Sequence, residues 1–268
     1  MTIDQQETSA PRSGTRTVEA DGFAVAVDVR GEGAPLIAIH GAGGPHWTGG
    51  VDLLTRSATV YAVELPGFGA EVNDRTESAE DMARTVIAVA DALGLETFDL
   101  LGTSMGGVVA SWVAVLAGDR VTRLVLEAPG AFRPDRDPSS FTPEQMLAAF
   151  HAHPERKTLV QPDPEKQRRV WPLVGRIMGP LHDERLAAAL AEVRVPTLVL
   201  AGQKDGLFGT ETGAHYRRIM PMCSLAIVYD AAHDISGDRP EAFAAVVSDF
   251  LRRGLVYAVQ ERSTLLYP

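Results

Sequence analysis

The sequence predicts an α/β fold in which a mostly parallel β-sheet is flanked by helices. Two observations lead to this prediction: short apolar runs recur along the chain, and segments with helical periodicity separate them. Short apolar runs are typical of strands buried on both faces. Strands that alternate with helices form right-handed βαβ units, whose strands lie parallel in one sheet.

Seven segments have the composition of strands. The first, residues 23–29, has the alternation of an edge strand, and the others are mainly apolar runs. These others are residues 35–40, 58–64, 98–102, 123–127, 195–201 and 225–229.

Three of the intervening segments have helical spacing. In residues 78–94, Ser78 predicts an N-cap and Gly94 a C-terminal stop. A second helix follows Ser104, and a third covers residues 239–253, where Pro240 suits a first turn.

The alternation of strands and helices is interrupted between residues 132 and 192. This segment has no convincing strand pattern but several helical pieces that prolines separate. We therefore expect a helical cap formed by residues 132–192, and an α/β core formed by residues 18–131 and 193–268.

The two ends of the chain are less regular. Residues 1–17 have no hydrophobic period, which predicts a mobile N-terminal tail. An apolar run at residues 255–259 is compatible with an edge strand or with a contact in a homodimer, and the pattern does not choose between them.

Composition and charge narrow the possible partners. The chain has 25 Lys and Arg against 35 Asp and Glu, a formal net charge of −10. This argues against nucleic-acid and anionic-membrane partners, because phosphate binding needs clustered cations. The single cysteine, Cys223, excludes an intrachain disulfide and a multi-cysteine metal site. The sequence has no signal-peptide pattern and no membrane-span pattern, so we expect a cytoplasmic protein. We also expect a small-molecule substrate and neither a cofactor nor a metal.

Residues 102–106 have the pattern G-x-S-x-G, with Ser104 in its centre. The pattern lies between a predicted strand and a predicted helix, where a sharp turn presents the hydroxyl at the carboxyl end of the sheet. Glycines at Gly102 and Gly106 remove side chains that would collide with the neighbouring strand and helix. Ser104 is therefore the candidate nucleophile.

A serine hydroxyl needs a base to take its proton and an acid to orient that base. His233 follows the last predicted strand of the core, and Asp205 follows the strand before it. The chain order Ser104, Asp205, His233 is the one expected for this topology. Glu127, which ends another strand, is the alternative acid.

A second glycine-rich turn, residues 40–44, follows the strand at 35–40. The backbone N–H groups of Ala42 and Met105 are the candidate donors to the oxyanion of an acyl-transfer transition state. A phosphate loop is the alternative for this turn, but G-K-[ST] is absent.

These motifs resemble those of the α/β-hydrolase superfamily over residues 20–253. They are "HGAGG", "ELPGFG", "GTSMGG", "AGQKDGLF" and "AAHD". The resemblance implies the α/β-hydrolase fold and a triad of Ser104, Asp205 and His233. Glu64 stands where relatives usually have aspartate, a difference that we interpret as structural. A serine nucleophile argues against haloalkane dehalogenases and epoxide hydrolases.

The leading hypothesis is a carboxylic ester hydrolase for a small or medium acyl substrate. "GTSMGG" is also similar to the nucleophile turn of the meta-cleavage-product hydrolases, which cleave C–C bonds. Those enzymes usually have tryptophan after the catalytic histidine, where this chain has Asp234, and a cap arginine that binds the substrate carboxylate. Arg168, Arg169 and Arg176 are candidates for that arginine. Cofactor-free perhydrolases rank lower, and a non-catalytic ligand-binding protein stays open because fold alone does not establish activity.

Substrate shape is expected to depend on the cap. The candidates for the pocket wall are Trp47, Trp171, Phe150, Met146 and Met178. His151 and His153 form a tempting metal pair, but without a third ligand nearby in the sequence they are interpreted as surface residues.

Overall fold

A nine-stranded sheet forms the centre of the molecule. The computed structural model describes residues 14–135, 140–157 and 163–256 and the backbone of residues 265–266. The strands are β1 Gly14–Ala20, β2 Phe23–Arg30, β3 Ala34–Ile39, β4 Ala58–Val63, β5 Phe98–Thr103, β6 Val121–Glu127, β7 Thr197–Gly202, β8 Cys223–Val228 and β9 Leu265–Leu266. Their order is β1-β2-β4-β3-β5-β6-β7-β8-β9.

The sheet is parallel from β4 to β8, and its outer pairs β1–β2, β2–β4 and β8–β9 are antiparallel. Each predicted strand coincides with an observed one. Adjacent residues of the central strand β5, Leu100 and Leu101, point to opposite faces and are both buried. This burial on both faces explains the continuous apolar runs in the sequence.

Strand β1 corrects the prediction of a tail at residues 1–17. Residues 14–17 pair with residues 26–29 of β2. Their side chains are mostly exposed, so the segment has no hydrophobic period, although its backbone belongs to the sheet. Residues 1–13 lie outside the described residues.

The α-helices are α1 Gly49–Leu54, α2 Ala79–Ala92, α3 Met105–Leu116, α4 Pro143–Phe150, α5 Pro164–Met178, α6 Glu184–Leu190, α7 Gly209–Ile219, α8 Ile235–Asp238 and α9 Pro240–Arg253. Ser78 caps α2, because its side chain accepts from Asp81 N–H, and Pro240 begins α9, both as predicted. Leu255 and Val256 of the C-terminal apolar run lie in a short 3₁₀ turn, and the rest of that run lies outside the described residues.

The helices cover both faces of the sheet and bury two apolar clusters. Helices α1 and α9 pack on one face, where Leu54 and Phe243 are fully buried. Helices α2 and α3 pack together on the other face, where Val86 and Val109 are fully buried. Among the described residues, no helix is long and apolar enough to span a bilayer.

Residues 132–192, which connect β6 to β7, are called the helical insertion here. Its described residues form α4, α5, α6 and a 3₁₀ turn, and no strand. Arginine side chains attach it to the core by donating to backbone carbonyls. Arg169 donates to Gly69 O and Ala70 O, and Arg176 donates to Asn73 O and Thr76 O.

Candidate active site

Ser104 occupies a strained turn between β5 and α3. Its backbone has φ 54° and ψ −114°, a conformation that residues other than glycine rarely adopt. The turn is tight because a Cβ on Gly102 would lie 2.4 Å from Gly106 O, and a Cβ on Gly106 would lie 2.5 Å from His40 O. The glycines of the sequence pattern are thus sterically required.

The structure brings Ser104, His233 and Asp205 together across the ends of three strands. His233 Nε2 lies 2.9 Å from Ser104 Oγ, and His233 Nδ1 lies 3.0 Å from Asp205 Oδ2. The other Asp205 oxygen accepts the N–H groups of Leu207 at 2.8 Å and Phe208 at 3.0 Å. Burial alone would raise the pKa of Asp205, but the hydrogen bond and charge of His233 with these N–H groups bring it below its usual value.

Glu127 is buried beneath this group and bonds elsewhere. Its Oε2 accepts the Thr103 hydroxyl at 2.7 Å, and its Oε1 accepts Ser236 N–H at 2.6 Å. Burial, with a smaller contribution from Asp234, raises the pKa of Glu127. Glu127 therefore joins the strand before Ser104 to the segment after His233.

The glycine-rich turn after β3 lies against Ser104. Gly44 N–H donates to Gly41 O at 3.1 Å, and a Cβ on Gly41 would lie 3.3 Å from Ser104 Cβ. Ala42 lines the same cavity as Ser104. Met105 is the first residue of α3, where backbone N–H groups have no acceptor within the helix.

His40 fixes this turn from below. Its Nε2 accepts Leu65 N–H at 3.1 Å, and its Nδ1 faces Gly41 O at 2.7 Å, so the proton lies on Nδ1. Burial lowers the pKa of His40 to about 4, which keeps the ring neutral near pH 7.

A cavity of about 440 Å³ opens at Ser104. It extends from His233 past the glycine-rich turn to β2, at the other side of Ser104. Its described lining includes the acidic residues Asp28, Glu64 and Asp234, and no lysine or arginine.

The five predicted wall residues divide into two groups. Trp47 and Phe150 line the cavity. Trp171 does not, since it is 55% exposed on α5, which corrects its prediction. Met146 and Met178 are also corrected, because neither lines this cavity; both pack against a small apolar cluster of Ala149, Leu207 and Phe208. Helical spacing predicts that these segments are helices with an apolar face. It does not predict which part of the molecule that face contacts.

The aromatic rings beside His233 come from two parts of the chain. Phe150 of α4 and Phe208 of the loop after β7 meet the imidazole edge-on, with ring centroids at 5.0 Å and 4.8 Å. Asp234 N–H also donates to Phe150 O at 2.9 Å. The helical insertion is thus in direct contact with the histidine loop.

His151 and His153 reinforce this contact, so their interpretation as surface residues is wrong. His151 Nδ1 lies 3.3 Å from Asp238 Oδ1 and 3.6 Å from Asp234 Oδ2, and His153 Nε2 lies 2.8 Å from Asp230 Oδ2. Ligand atoms of His151, Asp234 and Asp238 all lie within 4.8 Å of one another. Their mutual contacts account for this arrangement.

Asp238 was missed in the sequence because a single acid before a helix-starting proline has no distinctive pattern. Its side chain is 2% exposed, and its Oδ2 accepts the N–H groups of Ala152 at 2.8 Å and Ala232 at 3.0 Å. Asp28 was missed for a related reason: residues 23–29 were predicted to be an edge strand, in which an acid usually faces solvent, whereas β2 lies between β1 and β4.

A parallel α/β fold with serine, histidine and carboxylate at its strand ends defines the class of serine hydrolases. The chain belongs to the alpha/beta hydrolase family, whose model matches residues 36–246. This confirms the predicted fold and the hydrolase class, for which a small-molecule substrate is expected.

Similar proteins include both kinds of enzyme considered from the sequence. The pimeloyl-[acyl-carrier protein] methyl ester esterase of Photobacterium profundum is 29% identical over 255 residues, covering 83% of this chain and 96% of that protein. A 2-hydroxy-6-oxononadienedioate/2-hydroxy-6-oxononatrienedioate hydrolase of Comamonas testosteroni is 26% identical over 269 residues, covering 87% and 92%. A meta-cleavage product hydrolase structure from Pseudomonas fluorescens superposes with a TM-score of 0.74 at 20% identity, covering 88% of this chain and 97% of that one.

Proposed function

We propose that this protein is a carboxylic ester hydrolase that forms an acyl-enzyme intermediate. The supporting observation is the hydrogen-bonded series Ser104–His233–Asp205, with distances of 2.9 and 3.0 Å, at the mouth of a cavity. Ser104 Oγ attacks the ester carbonyl while His233 Nε2 takes its proton and then delivers it to the leaving alcohol. Water, deprotonated by His233, then releases the acid.

Asp205 is the acid of this triad in our proposal. Its Oδ2 accepts from the nitrogen of His233 that faces away from Ser104, which fixes the tautomer needed for proton transfer. Glu127 is the weaker candidate for the acid because one of its oxygens accepts from Thr103 and the other accepts from Ser236. Its role is to hold the two loops in register.

The N–H groups of Ala42 and Met105 are the proposed oxyanion donors. Ala42 lies in the turn that packs on Ser104, and Met105 begins the helix after it. One such donor contributes ~3–4 kcal/mol to the transition state. The helix dipole of α3 favours negative charge at the same place.

Residues 132–192 act as a cap in this proposal. The contacts of Phe150 with His233, and of His151 and Ala152 with Asp238, support this assignment, as does the fact that Phe150 and His151 line the cavity. Phe150 and Trp47 are the proposed substrate contacts.

Ester hydrolysis is favoured over C–C cleavage because an anionic substrate would find little positive charge. Arg169 and Arg176 are already bonded to backbone carbonyls, and Arg168 is exposed on α5. Lys166 lies above Gly44, outside the residues that line the cavity. Asp234 follows the histidine where C–C hydrolases usually have tryptophan.

Hydrolysis of p-nitrophenyl esters of increasing acyl length tests the proposal. We expect turnover with an optimum chain length that Ser104→Ala abolishes. No turnover, with Ser104 still labelled by a fluorophosphonate, would favour C–C or lactone substrates. No turnover and no labelling would favour a binding protein.

We further infer that the enzyme is cytoplasmic. We also infer that it has no nucleic-acid partner, and the net charge of −10 supports this second inference. We also propose a homodimer, for which the apolar run at residues 255–259 is one candidate contact in the sequence. Sedimentation velocity of the full chain at micromolar concentration checks it, and a single monomeric species would contradict it.

A further inference from the structure

A row of five aligned side chains, which we call the alanine row after its two central members, crosses the sheet on one side of Ser104. Strand register aligns Leu101 of β5 with Ala38 of β3, Ala38 with Ala62 of β4, Ala62 with Asp28 of β2, and Asp28 with Thr15 of β1. All five line the cavity that opens at Ser104. Three strand spacings separate Leu101 from Asp28, or about 14 Å.

The alanines of this row leave space where a sheet is normally filled. Ala38 and Ala62 lie on central strands, yet both are only half-buried, whereas their neighbours Ile39 and Val63 are buried. Trp47 lines the same cavity. We call the part of the cavity that runs along the alanine row the passage. Larger side chains at the two alanines would close it.

The direction of the passage determines which part of an ester it can hold. His233 gives its proton to the leaving alcohol, so the alcohol must lie on the His233 side of Ser104. His233 follows β8, and in the sheet β8 lies on the β6–β7 side of β5. The alanine row lies on the other side, over β3, β4 and β2, and therefore faces the acyl part.

The far end of the row is polar. Asp28 Oδ2 accepts from Trp47 Nε1 at 2.7 Å and from Arg30 at 2.8 Å. Within the described residues, Asp28 Oδ1 has no donor, and Arg30 does not line the cavity. A substrate hydroxyl or amide can donate to Oδ1, whereas a substrate carboxylate has no proton to donate there.

We propose that this passage is the acyl-chain subsite, and that it takes a medium-length, uncharged acyl group with a hydrogen-bond donor at its far end. The inference rests on the proposed ester hydrolase and specifies its substrate. Ala38 and Ala62 determine chain length, and Asp28 determines the preferred terminal group.

Alkyl fluorophosphonates of increasing chain length measure the subsite independently of turnover. Each buried methylene should raise the second-order labelling rate of Ser104 by about fourfold until the row is filled. Ala62→Leu should shorten the optimum chain, with labelling by the shortest probe unchanged and labelling by the longest reduced at least tenfold.

Ala24→Leu is the matched control, since Ala24 is exposed on β2 and does not line the cavity. It should leave the chain-length profile unchanged. An unchanged profile in Ala62→Leu, or equal slowing of every probe, would overturn the proposed subsite. Labelling without ester turnover would contradict the proposed hydrolysis while the labelling profile still tests the subsite.

The Ser104→Ala variant provides a measurement that needs no nucleophile. Calorimetric titration with N-methyl alkanamides should give affinities that rise with chain length, and adding Ala62→Leu should remove that rise. Affinities independent of chain length would contradict the subsite even if no probe labels the wild type.

Acyl esters of equal length with a terminal hydroxyl or a terminal carboxylate test the polar end. We expect kcat/KM about tenfold higher for the hydroxyl ester, and a smaller preference in Asp28→Asn. Equal rates, or a faster carboxylate ester, would overturn the role of Asp28.

Discussion

The strand-end turns of the core and the helical insertion both reach His233, but they are held in different ways. The turns at residues 40–44 and 102–107 are fixed by backbone contacts, in which an added Cβ would lie within about 2.5 Å of a carbonyl at Gly102 or Gly106. The insertion is held by long side chains that donate to carbonyls of the core. Steric exclusion tolerates no alternative residue, whereas a side-chain contact can be made from several positions.

This difference predicts where substitutions act. Changes in the turns should reduce kcat or prevent folding, because the reacting groups have one permitted geometry. Changes in the insertion should act mainly on stability and KM.

The largest effect is expected in the proposed triad. Asp205→Asn should lower kcat by about three to four orders of magnitude, because the amide no longer stabilises the imidazolium or its tautomer. Glu127→Gln, which retains an acceptor for Ser236 N–H, should keep most of the activity. The measurement is kcat with p-nitrophenyl acetate, and a reversed order of the two variants would make Glu127 the acid.

A glycine-to-alanine pair compares the two regions directly. Gly106→Ala should destabilise the protein by ~3 kcal/mol or more, because its Cβ would overlap His40 O and Ile39 O. Gly175→Ala on α5 should stabilise it by ~0.5–1 kcal/mol, since no atom lies within 4 Å of that Cβ. Urea unfolding measures both, and a similar result for the two would remove the distinction between the regions.

The turn at His40 should also make stability depend on pH. The folded-state pKa is about 4 and the unfolded value about 6.5, so the unfolded chain binds more protons between these values. The contribution is fully present above pH 6.5 and is lost as the pH falls toward 4, a change of about 3 kcal/mol. His40→Gln should flatten this slope in urea unfolding at successive pH values. Parallel slopes in the two proteins would contradict the neutral buried ring.

These contrasts explain what the sequence could predict. Gly102, Ser104 and Gly106 have residue types and spacing that the geometry demands, so the turn between β5 and α3 was recognisable. Buried strands were recognisable for the same reason, since burial on both faces requires apolar residues throughout. Residues 14–17 were missed because pairing uses the backbone alone.

The helical insertion was predictable as helix but not as a surface. Helix packing in the insertion depends on how α4 and α5 are oriented, and the apolar period does not specify orientation. The apolar pattern therefore could not distinguish Phe150, which lines the cavity, from Trp171, which is exposed. His151 and Asp238 meet only in three dimensions, across 87 residues of sequence.

A moderate effect is expected where the insertion is attached. Arg176→Gln should reduce stability by about 2 kcal/mol, because the charged hydrogen bonds to Asn73 O and Thr76 O at 2.7 Å are lost. We expect KM to rise more than kcat falls, since neither carbonyl belongs to the triad. Arg168→Gln on the exposed side of the same helix is the control. A drop in kcat with unchanged KM would mean that the attachment also orients the reacting groups.

The smallest effect is expected at Trp171 of the helical insertion. This residue tests the difference between the insertion and the core, because replacing a large aromatic side chain usually lowers stability or alters binding. The side chain is 55% exposed and lies away from the cavity, so Trp171→Ala should change stability by no more than ~0.5 kcal/mol and leave KM unchanged. Trp47→Ala is the contrasting variant, because its indole lines the cavity and donates to Asp28. It should raise KM for medium-chain esters while kcat for the acetyl ester is retained. If Trp171→Ala raised KM as much as Trp47→Ala does, the substrate would have to contact α5, and the helical insertion, rather than the core strands, would determine acyl-chain specificity.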